Sequence, residues 1–97
     1  MNPSPPCVLS IAGSDSGGGA GLQADLKTFA ALGAYGLTVP VALTAQNTRE
    51  VRDIFPLPAS FIQTQLETLW DDFEVSAVKI GMLGSPEVIE VVADFLG

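Results

Sequence analysis

Apolar and polar residues alternate with two different periods along the chain, which predicts strands and helices that follow one another. Residues 7–12 form a short, mostly apolar run, typical of a strand buried on both faces of a parallel sheet. Further extended segments are expected at 35–45, 51–57 and 77–81. Pro40 is an awkward residue for the middle of the second segment, because proline cannot donate to a strand ladder.

Three apolar stripes with helical spacing predict three helices. The first helix begins near Ala20 and is stopped by Gly33. The second has Ser60 and Gln63 at the spacing of a capping box, and the third starts at Ser85, which precedes a proline. The stripes are Leu22, Leu26, Phe29 and Ala30; Ile62, Leu66, Leu69 and Phe73; and Val88, Ile89, Val92, Phe95 and Leu96.

The resulting order of elements, β-α-β-(β)-α-β-α, predicts an α/β fold with a parallel sheet and right-handed crossovers. Polar or glycine clusters follow three of the predicted strands, at 13–15, 46–48 and 81–83. Ligands of such sheets bind beyond the carboxyl ends of the strands. We therefore expect the three clusters to meet at one edge of the sheet and to form a site there.

The loop at residues 13–21 contains five glycines, and several interpretations of it compete. A phosphate-binding P-loop is excluded, because Gly19 and Ala20 stand where its lysine and serine or threonine are needed. The dinucleotide pattern Gly-x-Gly-x-x-Ala fits residues 19–24, but no acidic residue ends the second strand. The remaining interpretations are a backbone wall against a small polar ligand, next to a helix N-terminus, and a simple flexible turn.

Four side chains near this edge have chemistry that suits a ligand, and each also has a purely structural explanation. Gln46 carries a donor beside an acceptor, which matches a ring nitrogen next to an amino group, or it caps loop backbone. Met82 packs on a flat ring or in the core. Asp25 contacts a ligand or complements the helix macrodipole, and Asp15 is an N-cap or a loop acceptor.

The composition of the chain argues against several classes of function. The net charge is −7, which argues against nucleic-acid binding. All of the excess negative charge lies in residues 50–97, and we expect most of these acidic side chains to lie on solvated helix faces. There is no histidine, and the one cysteine, Cys7, cannot form an internal disulfide. No apolar run is long enough for a membrane span, no secretory signal is apparent, and a cytoplasmic location is expected.

Four segments of the chain resemble the hydroxymethylpyrimidine/phosphomethylpyrimidine kinases of thiamine biosynthesis. They are residues 11–28 (IAGSDSGGGAGLQADLKT), 32–36 (LGAYG), 42–48 (ALTAQNT) and 79–83 (KIGML). The resemblance implies a ribokinase-like three-layer α/β fold with a largely parallel sheet. It also implies ATP-dependent phosphorylation of 4-amino-5-hydroxymethyl-2-methylpyrimidine and then of its monophosphate.

The same resemblance implies which residues bind the pyrimidine: Gly13, Ala20, Asp25, Gln46 and Met82. Gln46 would contact the aminopyrimidine edge, Met82 would pack on the ring, and Asp25 would hydrogen-bond the substrate's polar edge. Two alternatives stay open, namely a pyridoxal-type kinase of the same fold and a non-catalytic small-molecule-binding fragment.

The resemblance also sets an expected domain organisation. Residues 1–7 form a proline-rich lead, and residues 8–97 form the N-terminal, substrate-binding part of the kinase domain, because family members are longer. The catalytic residue and the sites for ATP and Mg²⁺ are expected mainly in a C-terminal half that this chain lacks. The complete protein is expected to be a homodimer, with no nucleic-acid or membrane partner.

Overall fold

The computed structural model describes residues 5–97, so the first four residues of the predicted lead lie outside the described part. Cys7, the last residue of that lead, already belongs to the first strand. In chain order the elements are β1 (Cys7–Ala12), α1 (Gly21–Ala31), β2 (Tyr35–Pro40), β3 (Ala42–Gln46), β4 (Val51–Pro56), α2 (Ala59–Trp70), β5 (Val75–Ile80) and α3 (Pro86–Leu96).

The central element is a parallel sheet of three strands in the order β2-β1-β5. Leu9 on β1 lies between Leu37 on β2 and Val78 on β5 in the register of the sheet. The predicted α/β class with a parallel sheet is therefore confirmed. Since β1 is central, the loop that follows it emerges in the middle of the sheet edge, beside the residues that follow β2 and β5.

The two faces of the sheet are covered by different helices. One face packs against α2 and α3, and this core contains the fully buried Leu9, Ile11, Val39, Ile62 and Leu66 together with Leu37, Val41, Val88 and Val92. The other face packs against α1, where Gly36 leaves room for Leu26, because a Cβ at this position would collide with the leucine side chain. Helices on both faces give the expected three layers.

The single strand predicted at 35–45 is wrong, because the chain breaks at Val41. Pro40 ends β2, and the N–H of Val41 then donates to Ala12 O at 2.9 Å. The following residues leave the sheet and form β3, which pairs with β4 in an antiparallel hairpin. The extended segment predicted at 51–57 is the second strand of this hairpin. Pro40 is tolerated because it lies at the end of an edge strand.

The two predicted helix caps have different outcomes. Ser60 and Gln63 do not form a capping box, since α2 begins at Ala59 after Pro58 and has no side-chain cap. Ser85 does cap α3, where its hydroxyl accepts from Val88 N–H at 3.3 Å.

The predicted apolar stripes are also only partly buried. In α1 only Leu22 is buried, and in α3 Val88 and Val92 are buried while Ile89 is 53% exposed. Helix α1 packs mainly against β1 and β2, so a narrow apolar stripe is enough to cover them. No helix between residues 5 and 97 combines the length and apolarity that a membrane crossing requires.

Candidate functional site

A cleft of about 390 Å³ opens at the carboxyl edge of the sheet. It brings together residues from all three of the clusters predicted to meet there, as well as Ala20 and Gly21 from the start of α1. The lining residues are Ala12, Gly13, Ser14, Asp15, Ala20, Gly21, Thr44, Gln46, Lys79, Gly81 and Met82. This size suits a small ligand, and the predicted convergence at one edge is confirmed.

Asp15 fixes the conformation of the glycine-rich loop. Its carboxylate accepts hydrogen bonds from the backbone N–H groups of Gly17, Gly19 and Ala20 at 2.7, 2.9 and 2.8 Å. The side chain is almost fully buried, with 6% of the residue exposed. Asp15 is therefore a loop acceptor and not the N-cap, which is Ala20. A loop with three hydrogen bonds to one carboxylate is an ordered wall, and the flexible-turn interpretation is wrong.

Gly21 allows the loop to close back onto the strand that precedes it. Its φ of +57° lies in the left-handed region, and a Cβ there would collide with Gly13 O. The neighbouring Leu22 N–H donates to that same carbonyl at 3.0 Å. Gly13 differs, because a Cβ at its position would meet no atom within 4 Å. Gly13 therefore presents bare backbone to the cleft.

Gln23 is a structural residue of this loop that the sequence analysis missed. Its Oε1 accepts from Asp15 N–H at 2.7 Å, and its Nε2 donates to Ser14 Oγ at 2.8 Å. The only signal in the sequence was a polar side chain between Leu22 and Ala24 at the start of the first helix.

Gln46 reaches the cleft by a route that the sequence did not predict. It does not follow a strand of the parallel sheet, since it ends β3 in the antiparallel hairpin. The loop after β1 runs beside β3 and holds it, because the hydroxyl of Ser16 donates to Gln46 O at 2.9 Å and accepts from Gln46 N–H at 2.8 Å.

The amide of Gln46 is free to face a ligand. Within residues 5–97 it contacts the hydroxyl of Thr44 at 3.2 Å and no backbone group. The alternative that it caps loop backbone is therefore wrong.

Asp25 lies below the cleft and does not line it. Its Oδ2 accepts from the fully buried Ser10 Oγ at 2.6 Å and from Lys79 Nζ at 3.1 Å. Lys79 is itself a lining residue, so Asp25 is connected to the cleft through it. Asp25 is more than one turn into α1, which has no acidic residue in its first turn. The macrodipole explanation of Asp25 is therefore wrong.

Met82 stands at the mouth of the cleft. It is 84% exposed, which excludes the alternative that it belongs to the core. It also borders a second, more apolar cleft of about 440 Å³, shared with Gly13 and Thr44 and continuing to Leu83 and Val88. Of the five residues predicted to bind substrate, Gly13, Ala20, Gln46 and Met82 thus share one cleft, and Asp25 lies beneath it.

The described residues do not fit a metal ion. Between residues 5 and 97 no three side chains of the types His, Cys, Asp or Glu are grouped closely enough to hold one. The glycine-rich loop likewise lacks the lysine of a nucleotide-binding P-loop.

Comparison with protein families and curated proteins gives a consistent result. Residues 15–97 match the family model described as phosphomethylpyrimidine kinase. A hydroxymethylpyrimidine/phosphomethylpyrimidine kinase of Haemophilus influenzae is 61% identical over 89 residues, which are 92% of this chain and 33% of that protein. One of Streptomyces coelicolor is 54% identical over 92 residues, 95% of this chain and 34% of that protein. The chain thus spans about a third of the length of these relatives.

Solved structures agree in fold. The crystal structure of a phosphomethylpyrimidine kinase from Clostridium difficile superimposes with a TM-score of 0.90 at 50% identity, covering 94% of this chain and 39% of that one. A pyridoxal kinase of Bacillus subtilis gives a TM-score of 0.87 at 41% identity, covering 96% of this chain and 37% of that one. The expected ribokinase-like fold is confirmed by these neighbours.

Proposed function

The chain belongs to the phosphomethylpyrimidine kinase family, and from this premise we propose that it forms the pyrimidine-binding part of a thiamine-biosynthetic kinase. The enzyme would transfer the γ-phosphate of ATP to the hydroxymethyl group of 4-amino-5-hydroxymethyl-2-methylpyrimidine, and then phosphorylate the monophosphate. The contribution of this chain is to bind and orient the pyrimidine, because positioning supplies much of the catalysis in phosphoryl transfer.

The observation that carries the proposal is that Gln46 and the bare backbone of Gly13 line the same cleft. A glutamine amide offers one acceptor and one donor side by side. An aminopyrimidine offers the complementary pair, a ring nitrogen that accepts and an amino group that donates. The absence of a side chain at Gly13 lets the flat ring approach the wall, and Met82 at the mouth would pack over its face.

Asp25 would hold the substrate's polar edge from below. Its Oδ2 is occupied by Ser10 and Lys79, while its Oδ1 has no hydrogen-bond partner within residues 5–97. No buried polar side-chain atom there is left without a partner, and the Asp25 side chain keeps 15% exposure; we propose that Oδ1 accepts from a substrate that reaches past the cleft floor formed by Lys79. Ala20 would complete the wall beside the loop that Asp15 fixes.

ATP and Mg²⁺ belong to the proposed reaction, and we propose that their sites lie mainly outside the residues described here. Residues 5–97 present no cluster of metal-ligating side chains, so we assign them no role in binding the metal. The catalytic base and most contacts to the nucleotide and the metal would come from outside this cleft. We propose that the complete enzyme is a homodimer that acts on a small-molecule substrate.

A pyridoxal kinase is the second candidate, and the structural similarity to the Bacillus subtilis enzyme favours it. A Staphylococcus aureus pyridoxal kinase solved with pyridoxal has a TM-score of 0.85 at 39% identity, covering 97% of this chain and 36% of that one. Pyridoxal, however, has no amino group beside its ring nitrogen, so it would leave one half of the Gln46 amide without a partner. The amide therefore favours the aminopyrimidine.

A chimeric enzyme tests the proposal. In the Haemophilus influenzae relative, this chain would replace the segment that it matches, which is a third of that protein. We expect ATP-dependent phosphorylation of the hydroxymethylpyrimidine with a kcat/KM well above that for pyridoxal. A folded chimera that phosphorylates pyridoxal better would establish the second candidate. A folded chimera that phosphorylates neither would support a non-catalytic binding fragment.

A further inference from the structure

Thr44 carries a hydroxyl that contacts two groups of the cleft at once. Its Oγ1 lies 2.7 Å from Ser14 O and 3.2 Å from the terminal amide of Gln46. A hydroxyl has one hydrogen to donate and two lone pairs to accept with. One hydrogen can make only one short, near-linear bond, so the two contacts are not both full donations by Thr44.

The shorter contact takes the hydrogen. A distance of 2.7 Å is the usual length of an O–H···O bond, and without the hydrogen two lone pairs would face each other there. Ser14 is also fixed, since its N–H donates to Ala42 O at 2.9 Å and its Oγ accepts from Gln23 Nε2 at 2.8 Å. Thr44 is thus anchored as a donor to a rigid carbonyl.

The amide of Gln46 must then donate to Thr44. Oxygen and nitrogen of a glutamine amide have nearly the same shape, so the hydrogen-bond network decides which of them faces a neighbour. An oxygen at 3.2 Å from a hydroxyl that has already given its hydrogen away would be repelled, whereas Nε2–H can donate to it. One hydrogen of Nε2 and the oxygen Oε1 remain for a ligand.

We propose that Thr44 is a positioning residue that locks the Gln46 amide in one of its two orientations, and thereby selects a 4-aminopyrimidine over a 4-oxopyrimidine. This inference rests on the proposed function. An aminopyrimidine presents an accepting ring nitrogen beside a donating amine, and an oxopyrimidine presents a donating ring N–H beside an accepting oxygen. When the ring is held between the Gly13 wall and Met82, a half-turn of the Gln46 amide would make it complementary to the oxopyrimidine edge instead of the aminopyrimidine edge. The hydrogen bond to Thr44 prevents that half-turn.

Calorimetry on the whole chain tests the selection, with 4-amino-5-hydroxymethyl-2-methylpyrimidine and its 4-oxo counterpart as probes. The unchanged chain is expected to prefer the amino compound by roughly tenfold or more, since the wrong edge leaves paired groups unsatisfied. Thr44→Val should reduce the preference by about tenfold, and Thr44→Ser, which keeps the hydroxyl, should retain it. If Thr44→Val weakened both compounds equally, Thr44 would be only structural and the proposal would be overturned.

An NMR measurement on the ligand-free chain separates this inference from the proposed function. The Nε2 hydrogen of Gln46 that faces Thr44 should show a downfield shift and slowed solvent exchange in the unchanged chain and in Thr44→Ser, and should lose both in Thr44→Val. If both Nε2 hydrogens in the unchanged chain had the shifts and fast exchange of a free glutamine side chain, the proposal would be overturned even if no variant folded. A chain that binds neither pyrimidine but shows the expected amide signals would refute the proposed function and leave the positioning role standing.

Discussion

Ser10 Oγ donates a hydrogen bond of 2.6 Å to Asp25 Oδ2, and this bond ties the central strand β1 to helix α1 beneath the cleft. Lys79 Nζ, from β5, approaches the same oxygen at 3.1 Å. Three elements therefore meet at one carboxylate. Because Ser10 is fully buried, its hydroxyl has no water to replace Asp25 if the bond is lost, whereas Lys79 is half exposed and its ion pair is weakened by solvent.

Replacing Ser10 should therefore cost stability. Ser10→Ala removes the hydroxyl without adding bulk, and we expect the free energy of unfolding to fall by about 1–3 kcal/mol, as for a hydrogen bond to a charged group. Urea denaturation measures this. The matched control is Ser60→Ala on α2, whose exposed side chain makes no cap and whose loss should change stability by less than about 0.5 kcal/mol. Equal losses of unfolding free energy in Ser10→Ala and Ser60→Ala would show that the Ser10 hydrogen bond does not stabilise the fold.

The carboxylate of Asp15 should matter more than any exposed acid. Asp15→Asn keeps the size but replaces one accepting oxygen by an NH₂ group, which faces backbone N–H groups that also donate. We expect a loss of about 1.5–3 kcal/mol in the free energy of unfolding, read from the same denaturation curves. Asp72→Asn, at an exposed turn, is the control and should be nearly neutral. A stable Asp15→Asn chain would show that the loop does not depend on this carboxylate.

Substitution of Gly21 should destabilise the fold, whereas substitution of Gly13 should weaken ligand binding. Gly21→Ala places a Cβ against Gly13 O at a φ of +57°, so we expect it to destabilise the fold by more than about 1 kcal/mol. Gly84→Ala, at a φ of +86° with open space around it, controls for backbone strain without the collision and should lose less. Thermal unfolding compares the two.

Gly13→Ala should behave in the opposite way. The added methyl group meets no protein atom within 4 Å, so the melting temperature should stay close to that of the unchanged chain. The methyl group enters the cleft, however, and should weaken binding of the hydroxymethylpyrimidine by about tenfold or more, as expected for overpacking of a close contact. Calorimetry with unchanged affinity would show that the ring does not approach this wall.

Met82 should contribute to binding but not to stability. Because it is 84% exposed, Met82→Ala should leave the urea midpoint unchanged, while the lost cover over the ring should weaken pyrimidine binding by about tenfold. Leu32→Ala, a residue 78% exposed at the far end of α1, is the control and should alter neither quantity. An Met82→Ala chain that binds as well as the unchanged one would remove Met82 from the proposed site.

The parts of the fold that depend on local periodicity were predictable from the sequence. The alternating elements and the short apolar run at β1 predicted a parallel sheet, and the glycine and polar clusters at the strand ends predicted where the cleft lies. Ser85 and the proline after it predicted the start of α3, because an N-cap serine and a proline at the first helical position are local signals.

The parts that depend on distant pairing were not predictable in the same way. The apolar residues of β2 and β3 are continuous in sequence, and only the turn at Val41 sends the second half into a hairpin with β4. The hydrogen bonds of Asp25 to Ser10 and Lys79 span 15 and 54 positions of the chain, so no local pattern indicates them. Ser60 and Gln63 had the right spacing for a cap, but the chain enters α2 through Pro58 and leaves no N-cap for Ser60 to form.

The central claim, that this cleft binds an aminopyrimidine through Gln46, is tested most directly by one calorimetric comparison. The hydroxymethylpyrimidine would be titrated into the unchanged chain, into Gln46→Ala and into Gln63→Ala, a glutamine of α2 outside the cleft. We predict saturable binding to the unchanged chain and to Gln63→Ala, and an affinity lower by about tenfold to a hundredfold in Gln46→Ala, the loss of two hydrogen bonds. Equal affinity in Gln46→Ala, or no binding to the unchanged chain, would contradict the claim.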